Sequence, residues 1–301
     1  MSVYLGVEHP DAGSVRPGGL SLVPWGDAVS EAAAMKWLTR PPAAIMQRLR
    51  RGWYLTAYDG LGSGAKLLAF SKVTVSSRKK IVVVSGDGFF VAGRRVPPSA
   101  LGGLPRIRTG PKPFVVAGSM YALAKQYGDD WVGAWRDCVD PLHAIELCYR
   151  AQRLWPHDFI IACLRAIRIA AEPFEDVEAC GMLEYLDLAI ESVRSGQLQP
   201  IFDRMNDEGE ERLMSAQQRM DVGSPEYRIV WGVKIAILSL SCQFGDCGDF
   251  SIVTGLQDAR GAVLSAVGVD ERAVWVKMMD AMRDSLTAAQ VVFSVLHEPR
   301  P

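Results

Sequence analysis

Residues 224–244 read SPEYRIVWGVKIAILSLSCQF, and this stretch decides how the C-terminal half is built. Ser224 suits an N-cap, Pro225 the first helical position, and Glu226 the acidic first turn that faces the positive end of a helix. Beyond that cap, Ile229, Val230, Trp231, Val233, Ile235, Ala236, Ile237, Leu238 and Leu240 leave only a thin polar line of Tyr227, Lys234 and Ser241. A helix apolar nearly all round is buried or lies in a membrane. The run from Ile229 to Leu240 is too short to span a bilayer and carries Lys234 near its middle, so burial is the expectation.

Outward from this helix the chain stays helical. Helices are expected at Pro141–Leu154, at Asp158–Ala171 with Asp158 as cap, and at Val177–Ser195 closed by Gly196. A polar helix is expected within 203–222, another near Ser251–Val267 ended by Gly268, and a long one from Glu271 to Leu296 capped by Asp270.

Toward the N-terminus the pattern changes to strands. Residues 3–7 (VYLGV) and Leu20–Val23 read as short strands, and Asp27–Leu38 as a helix with Ala28, Ala32, Met35 and Leu38 on one face. A shorter helix follows from Ala43 to Arg50. WYLTAYDG, KLLAFSKVTV and IVVVSGDGFFVAG supply strands, the last as a hairpin around Ser85-Gly86-Asp87-Gly88. Residues 94–113 read as a loop, PFVVAG (113–118) as a further strand, and Met120–Tyr127 as a helix capped by Ser119. The fold class expected is therefore α+β: a mixed α/β domain over residues 1–155 with antiparallel strands, and an all-helical domain over residues 156–301.

The 301 residues are 49% hydrophobic and 22% charged, which fits a globular chain with a sizeable core. The start, MSVYLGVEHPDAG, lacks a basic segment followed by an apolar run, and no apolar segment reaches membrane length. Six cysteines in apolar contexts then favour reduced thiols and a cytoplasmic setting, with no membrane partner. The net charge of −1 conceals a division: residues 1–155 hold 20 Lys and Arg against 11 Asp and Glu, and residues 156–301 hold 13 against 23. Such a split fits two halves that dock electrostatically, or a basic half that meets a polyanion.

Several motifs fail on spacing. In Gly60-Leu-Gly-Ser-Gly-Ala-Lys66 the lysine is followed by Leu67, where a P-loop needs Ser or Thr, so a hairpin loop is expected. Cys242 and Cys247 lack the second ligand pair of a structural zinc site. Counting back from Gly209 places Arg204 where an EF-hand requires Asp. Neither a metal nor a cofactor is expected, and no Ser/His/Asp or Cys/His set assembles. The basic residues gather at predicted turns: Arg50 and Arg51, then Arg78, Lys79 and Lys80, then Arg94 and Arg95, then Arg106 and Arg108, with Trp53, Tyr54, Phe89 and Phe90 nearby. Cations interleaved with aromatics are what a nucleic-acid surface uses; cations at turns are also ordinary solvated charge.

Two resemblances add expectations. The order IVVVSGDGFFVAG, PFVVAGSMYALAKQYGDD, DPLHAIELCYRAQRL resembles the second half of proteasome-like N-terminal-nucleophile hydrolases. Over residues 81–155 it implies their four-layer fold and, after removal of Met1, Ser2 as a catalytic nucleophile with its own amine as base. Residues 156–301 have no counterpart in that fold. The helical segment 131–200, with Trp135, Cys138 and AIESVRSG, resembles helical domains of bacterial immunity proteins, which act by binding. The expected function is thus a cytoplasmic binding protein of immunity or accessory type with a protein partner. The alternatives are an N-terminal-nucleophile amide hydrolase using Ser2, and nucleic-acid binding through the basic half.

Overall fold

The computed structural model describes residues 2–8, 23–24, 28–61, 64–74, 80–97, 126–128, 130–149, 151–175, 177, 181–243 and 252–296. In chain order the elements are β1 (Ser2–Glu8), β2 (Val23–Pro24), β3 (Val29–Ser30), α1 (Glu31–Thr39), α2 (Ala43–Arg50), β4 (Tyr54–Tyr58), β5 (Leu67–Val73), β6 (Ile81–Ser85), β7 (Gly88–Val91) and β8 (Arg94–Arg95). The helices that follow are α3 (Trp131–Asp137), α4 (Pro141–Cys148), α5 (Ala151–Leu154), α6 (Pro156–Ala171), α7 (Met182–Ser195) and α8 (Gln199–Arg204). After a π-helical turn (Met205–Gly209) come α9 (Glu210–Arg219), α10 (Pro225–Gln243), α11 (Ile252–Ser265), α12 (Glu271–Ser285) and α13 (Ala288–Leu296). The chain is an α+β protein, with its strands in the N-terminal part and a helical C-terminal part.

Two compact units divide these elements. One comprises Met1–Asp137, Glu146–Pro156 and Leu286–Pro301; the other comprises Cys138–Ile145 and His157–Ser285. The sequence reading divides the chain at residue 155, whereas the contacts count the last helix, α13, with the strands. The first unit contains 21 Lys and Arg against 11 Asp and Glu, and the second 12 against 23, so each carries a strong net charge of opposite sign.

In the first unit an antiparallel sheet runs in the order β2-β1-β4-β5-β6-β7-β8, with β3 also pairing β1. Alternation fixes which residues face which side. Val3, Leu5 and Val7 of β1, Leu55 and Ala57 of β4, Ala69 of β5 and Val83 of β6 form one core with Ala34 and Leu38 of α1 and Ile45 and Leu49 of α2. Helix α1 starts later than expected, because Ser30 caps it through Ala33 N while Val29 and Ser30 pair with β1. Its buried positions are Ala34 and Leu38, and Met35 is exposed, so the expected face through Ala32 and Met35 is turned by part of a turn. On the opposite side of the sheet, α13 inserts Phe293 edge-on against Tyr54, Phe70 and Trp155, at 5.0, 5.0 and 5.7 Å between ring centroids.

The expected long helix from Glu271 to Leu296 breaks in two at Leu286–Thr287. Asp270 caps the first part through Ala273 N at 3.1 Å. Thr287 and Gln290 then form a capping box: Gln290 N donates to Thr287 Oγ1 (3.1 Å) and Thr287 N to Gln290 Oε1 (2.9 Å). The Thr287 hydroxyl also donates to Leu67 O, which ties α13 to β5. Helix Pro141–Leu154 likewise divides into α4 and α5, and Asp158 lies buried inside α6 rather than at its cap. Arg94 and Arg95, expected in a loop, form β8. The strand 113–118, Ser119 and most of the helix at 120–127 lie outside the described residues.

The second unit is helical, and α10 is its buried rod as expected: Ser224 caps it through Tyr227 N at 3.1 Å. Its neighbour α11 approaches closely because both helices carry small residues four apart, Gly232 and Ala236 on α10, Gly255 and Ala259 on α11. A Cβ at Gly232 would lie 2.8 Å from Gly255 O, and one at Gly255 2.6 Å from Gly232 O. The solvent line of α10 differs from the expected one. Trp231 and Leu238 are its exposed large apolar residues, and the Lys234 ammonium lies 5.7 Å from the Trp231 ring centre, so the helix's central cation rests on an aromatic face. Asp140 takes a bidentate pair from Arg260 (3.0 and 2.7 Å) and caps α4 through Leu142 N, while the Arg260 guanidinium stacks 4.4 Å over Trp275.

Candidate functional site

The first unit's sheet has two chemically different ends, and its register explains why. Strands β4, β6 and β8 start, and β1, β5 and β7 finish, at one end. The residues delivered there are the exposed Arg50 and Arg51 ahead of β4, the exposed Lys80 ahead of β6, and the exposed Arg94 at the start of β8. The turn that presents Arg94 is Ala92-Gly93, with φ of 51° and 78°, the two positive values of a type I′ hairpin. At the opposite end lie Asp59 after β4, Asp87 in the β6–β7 turn, Lys66 and the first residue of β1, Ser2. From β4 to β8 is four strand steps, about 19 Å, so the cations form a band along the sheet end.

Three of the four basic clusters read from the sequence therefore converge at least in part. Arg78 and Lys79 lie outside the described residues, in the chain between Thr74 and Lys80, whose backbones are joined by Thr74 N donating to Lys80 O at 2.9 Å. Arg106 and Arg108 also lie outside the described residues. Arg95 is exposed but opposes Phe90 on the other face, and its guanidinium runs back along β7 against Gly88. The aromatics expected among the cations are mostly structural: Tyr54 and Phe89 are buried, and Trp53 is covered by the Arg48 guanidinium at 5.4 Å.

One ladder row crosses this basic end. Glu8 opposes Tyr54; one residue beyond the Leu55–Ser71 pair, Tyr54 opposes Lys72; Lys72 opposes Val82, then Val91, then Arg94. Glu8 is 1% exposed. Its Oε1 accepts from Thr56 Oγ1 at 2.8 Å and from the Tyr58 hydroxyl at 2.6 Å, and its buried Oε2 has no hydrogen-bond partner among the described residues. No cation stands within ion-pair distance of Glu8 among the described residues. Burial therefore dominates, pushing the carboxyl up to about 7 against the two hydroxyl bonds, which favour its charged form. Tyr58 is pushed well above its ordinary value by burial and by the Glu8 charge, and Tyr54 is raised by burial alone. Lys72 is partly buried, with its ammonium 6.0 Å from the Tyr54 ring centre, and burial pulls it down.

The sequence carries little sign of this cluster. Glu8 follows a strand read as ending at Val7, and a polar residue there looks like a solvated strand end. Its burial comes from covering of both sheet faces, which periodicity along β1 does not report. The Thr56-x-Tyr58 spacing, which puts two hydroxyls on one face of β4, was the available signal.

Ser2 is exposed at the start of β1, pairs through its backbone register with Ser30, and belongs to the end of the sheet away from the cations. In the second unit the acidic helices are laced by arginines: Arg168 bridges Glu172 and Asp187, Arg204 meets Glu184, Arg194 meets Glu191, and Arg212 meets Glu208. Among the described residues no group of His, Cys, Asp and Glu could hold a metal ion, and no helix is long and apolar enough to cross a membrane. Cys138, Cys148 and Cys163 are buried, and burial raises the Cys163 thiol. The chain matches no family model, no curated protein and no solved structure.

Proposed function

We propose that the chain acts by binding, and that the basic end of the first unit's sheet receives an acidic protein surface. The observation that carries this reading is the convergence of Arg50, Arg51, Lys80 and Arg94 at one end of the sheet while Asp59 and Asp87 occupy the other. Charge separated in this way steers an oppositely charged partner and fixes its orientation. The cations are exposed, whereas the stacking aromatics that single-stranded nucleic acid would need are buried or already covered, which favours a protein partner over nucleic acid. A hydrolase reading would rest on Ser2, which is exposed at the end of the sheet away from the cations.

Binding to immobilised polyaspartate, polyglutamate and a single-stranded DNA of equal charge tests the reading. Micromolar binding to the acidic polypeptides, weakened by raising salt from 50 to 300 mM, is expected. Tighter binding to the DNA than to either polypeptide would transfer the reading to nucleic acid, and no binding at 50 mM salt would refute it.

A further inference from the structure

The basic end contains one buried acid, and its position in the ladder gives it a consequence for binding. Glu8 stands in the same row as Lys72 and Arg94, two and five strands away, and among the described residues its carboxylate is met by two hydroxyls and by no cation. We infer that binding of an anionic partner at this end is coupled to protonation of Glu8, so that the surface takes up a proton as it takes up its partner. The inference rests on the binding reading above and names how that surface is regulated.

The chemistry is electrostatic. An ionised Glu8 offsets part of the positive potential of the basic end, and a neutral Glu8 leaves it whole. By linkage, a ligand that prefers the chain with neutral Glu8 raises the proton affinity of the Glu8 carboxylate, and the two binding events strengthen each other. Among the described residues the groups that face Glu8 can be named. From β4 they are Tyr54, Thr56 and Tyr58, and beyond Tyr54 the Lys72 ammonium of β5 rests over the Tyr54 ring. Helix α1, on the opposite face of β1, has its Glu31 and Lys36 exposed to solvent. Tyr54 and Tyr58 stay neutral across the range in which Glu8 titrates, because burial raises both. Glu8 is therefore the group in this set whose charge changes near neutrality.

The size of the effect follows from distance. Five strand steps separate Glu8 from Arg94, the binding cation in its row, by about 24 Å, and at effective dielectric constants between about 20 and 80 a unit charge at that distance changes anion affinity by roughly 1.3- to 3-fold.

The test uses the full chain and polyaspartate, whose carboxylates remain ionised between pH 6.0 and 8.5. Affinity is measured across that range for the native chain, Glu8→Gln, Tyr58→Phe and Arg94→Glu. The native chain should bind more tightly at pH 6.0 than at pH 8.5 by roughly 1.3- to 3-fold, and Glu8→Gln should bind with a flat profile at the pH 6.0 level. Tyr58→Phe removes a bond that favours the charged carboxylate, so its profile should keep its amplitude and move its midpoint to higher pH; this variant carries the test if Glu8→Gln does not fold. A pH profile retained in Glu8→Gln, or a Tyr58→Phe midpoint that stays in place, would overturn the inference, since another group would then be titrating. Binding that is equal at all pH values and lost in Arg94→Glu would overturn the proton coupling while leaving the binding reading intact. Absence of binding at every pH would overturn both.

Discussion

Glu8→Gln gives the sharpest stability test because the group is buried and its perturbation has a definite sign. In the unfolded chain the carboxyl titrates at its ordinary 4.5, and in the folded sheet burial lifts it to about 7. Between those values the native state binds the extra proton, so the wild-type stability falls as pH rises through the window from 4.5 to 7. Below 4.5 the group is neutral in both states and the cost vanishes; above 7 it is ionised in both and the cost is complete. A displacement of this size corresponds to about 3 kcal/mol. Glutamine keeps the carbonyl that accepts from Thr56 and Tyr58 but places an amide where Oε2 has no partner, which adds a penalty that does not depend on pH. The informative quantity is therefore the change with pH in the stability difference, variant minus native. Urea denaturation of both chains at pH 4, 5.5, 7 and 8.5 should show that difference moving in favour of Glu8→Gln by about 3 kcal/mol, mostly between pH 4.5 and 7. A difference that is constant across this range would show that Glu8 is not held neutral by the fold and would refute the reasoning.

Other outcomes follow from geometry. Gly232→Ala inserts a Cβ 2.8 Å from the backbone oxygen of Gly255, so α10 and α11 must separate, and thermal or urea denaturation should show a loss of about 1–3 kcal/mol. Ala92→Asn should stabilise the chain by about 0.5–1 kcal/mol in the same measurement, because φ of 51° in a type I′ turn suits Asn and strains Ala. Thr287→Ala removes the cap of α13 and its bond to β5, with an expected cost of about 1–2 kcal/mol and faster amide exchange in the first turn of α13.

The parts of the fold that local chemistry specifies were legible in the sequence. The cap at Ser224 and the apolar run after it locate α10, and the Ser85–Gly88 turn between two apolar runs locates the β6–β7 hairpin, which forms in that register. The misreadings have a common cause. Thr287-Ala-Ala-Gln290 is a capping-box sequence that starts a new helix, yet it lies inside a pattern that continues apolar on both sides, so the break was hidden by periodicity. The assignment of α13 to the strands depends on Phe293 meeting Tyr54 and Phe70, more than 220 residues away in the chain, and no local rule carries that information. The close approach at Gly232 and Gly255 was visible as small residues four apart on both helices, but only pairing the helices gives the spacing its meaning. For the candidate site, the basic clusters were legible as composition at turns. Their convergence was not, because it depends on which end of the sheet each turn occupies. The burial of Glu8 was invisible for the related reason that both faces of its strand are covered.

The central claim is that one end of the sheet, rather than net charge, does the binding. Reversing one charge at each end separates these two accounts, since Arg94→Glu and Lys66→Glu alter the net charge equally while lying at opposite ends of the strands. Polyaspartate affinity at 50 mM salt and pH 6.0 is the measurement. The account predicts that Arg94→Glu weakens binding about tenfold or more while Lys66→Glu changes it less than twofold. Equal weakening by the two substitutions would contradict it, because binding would then follow total charge and not the basic end of the sheet.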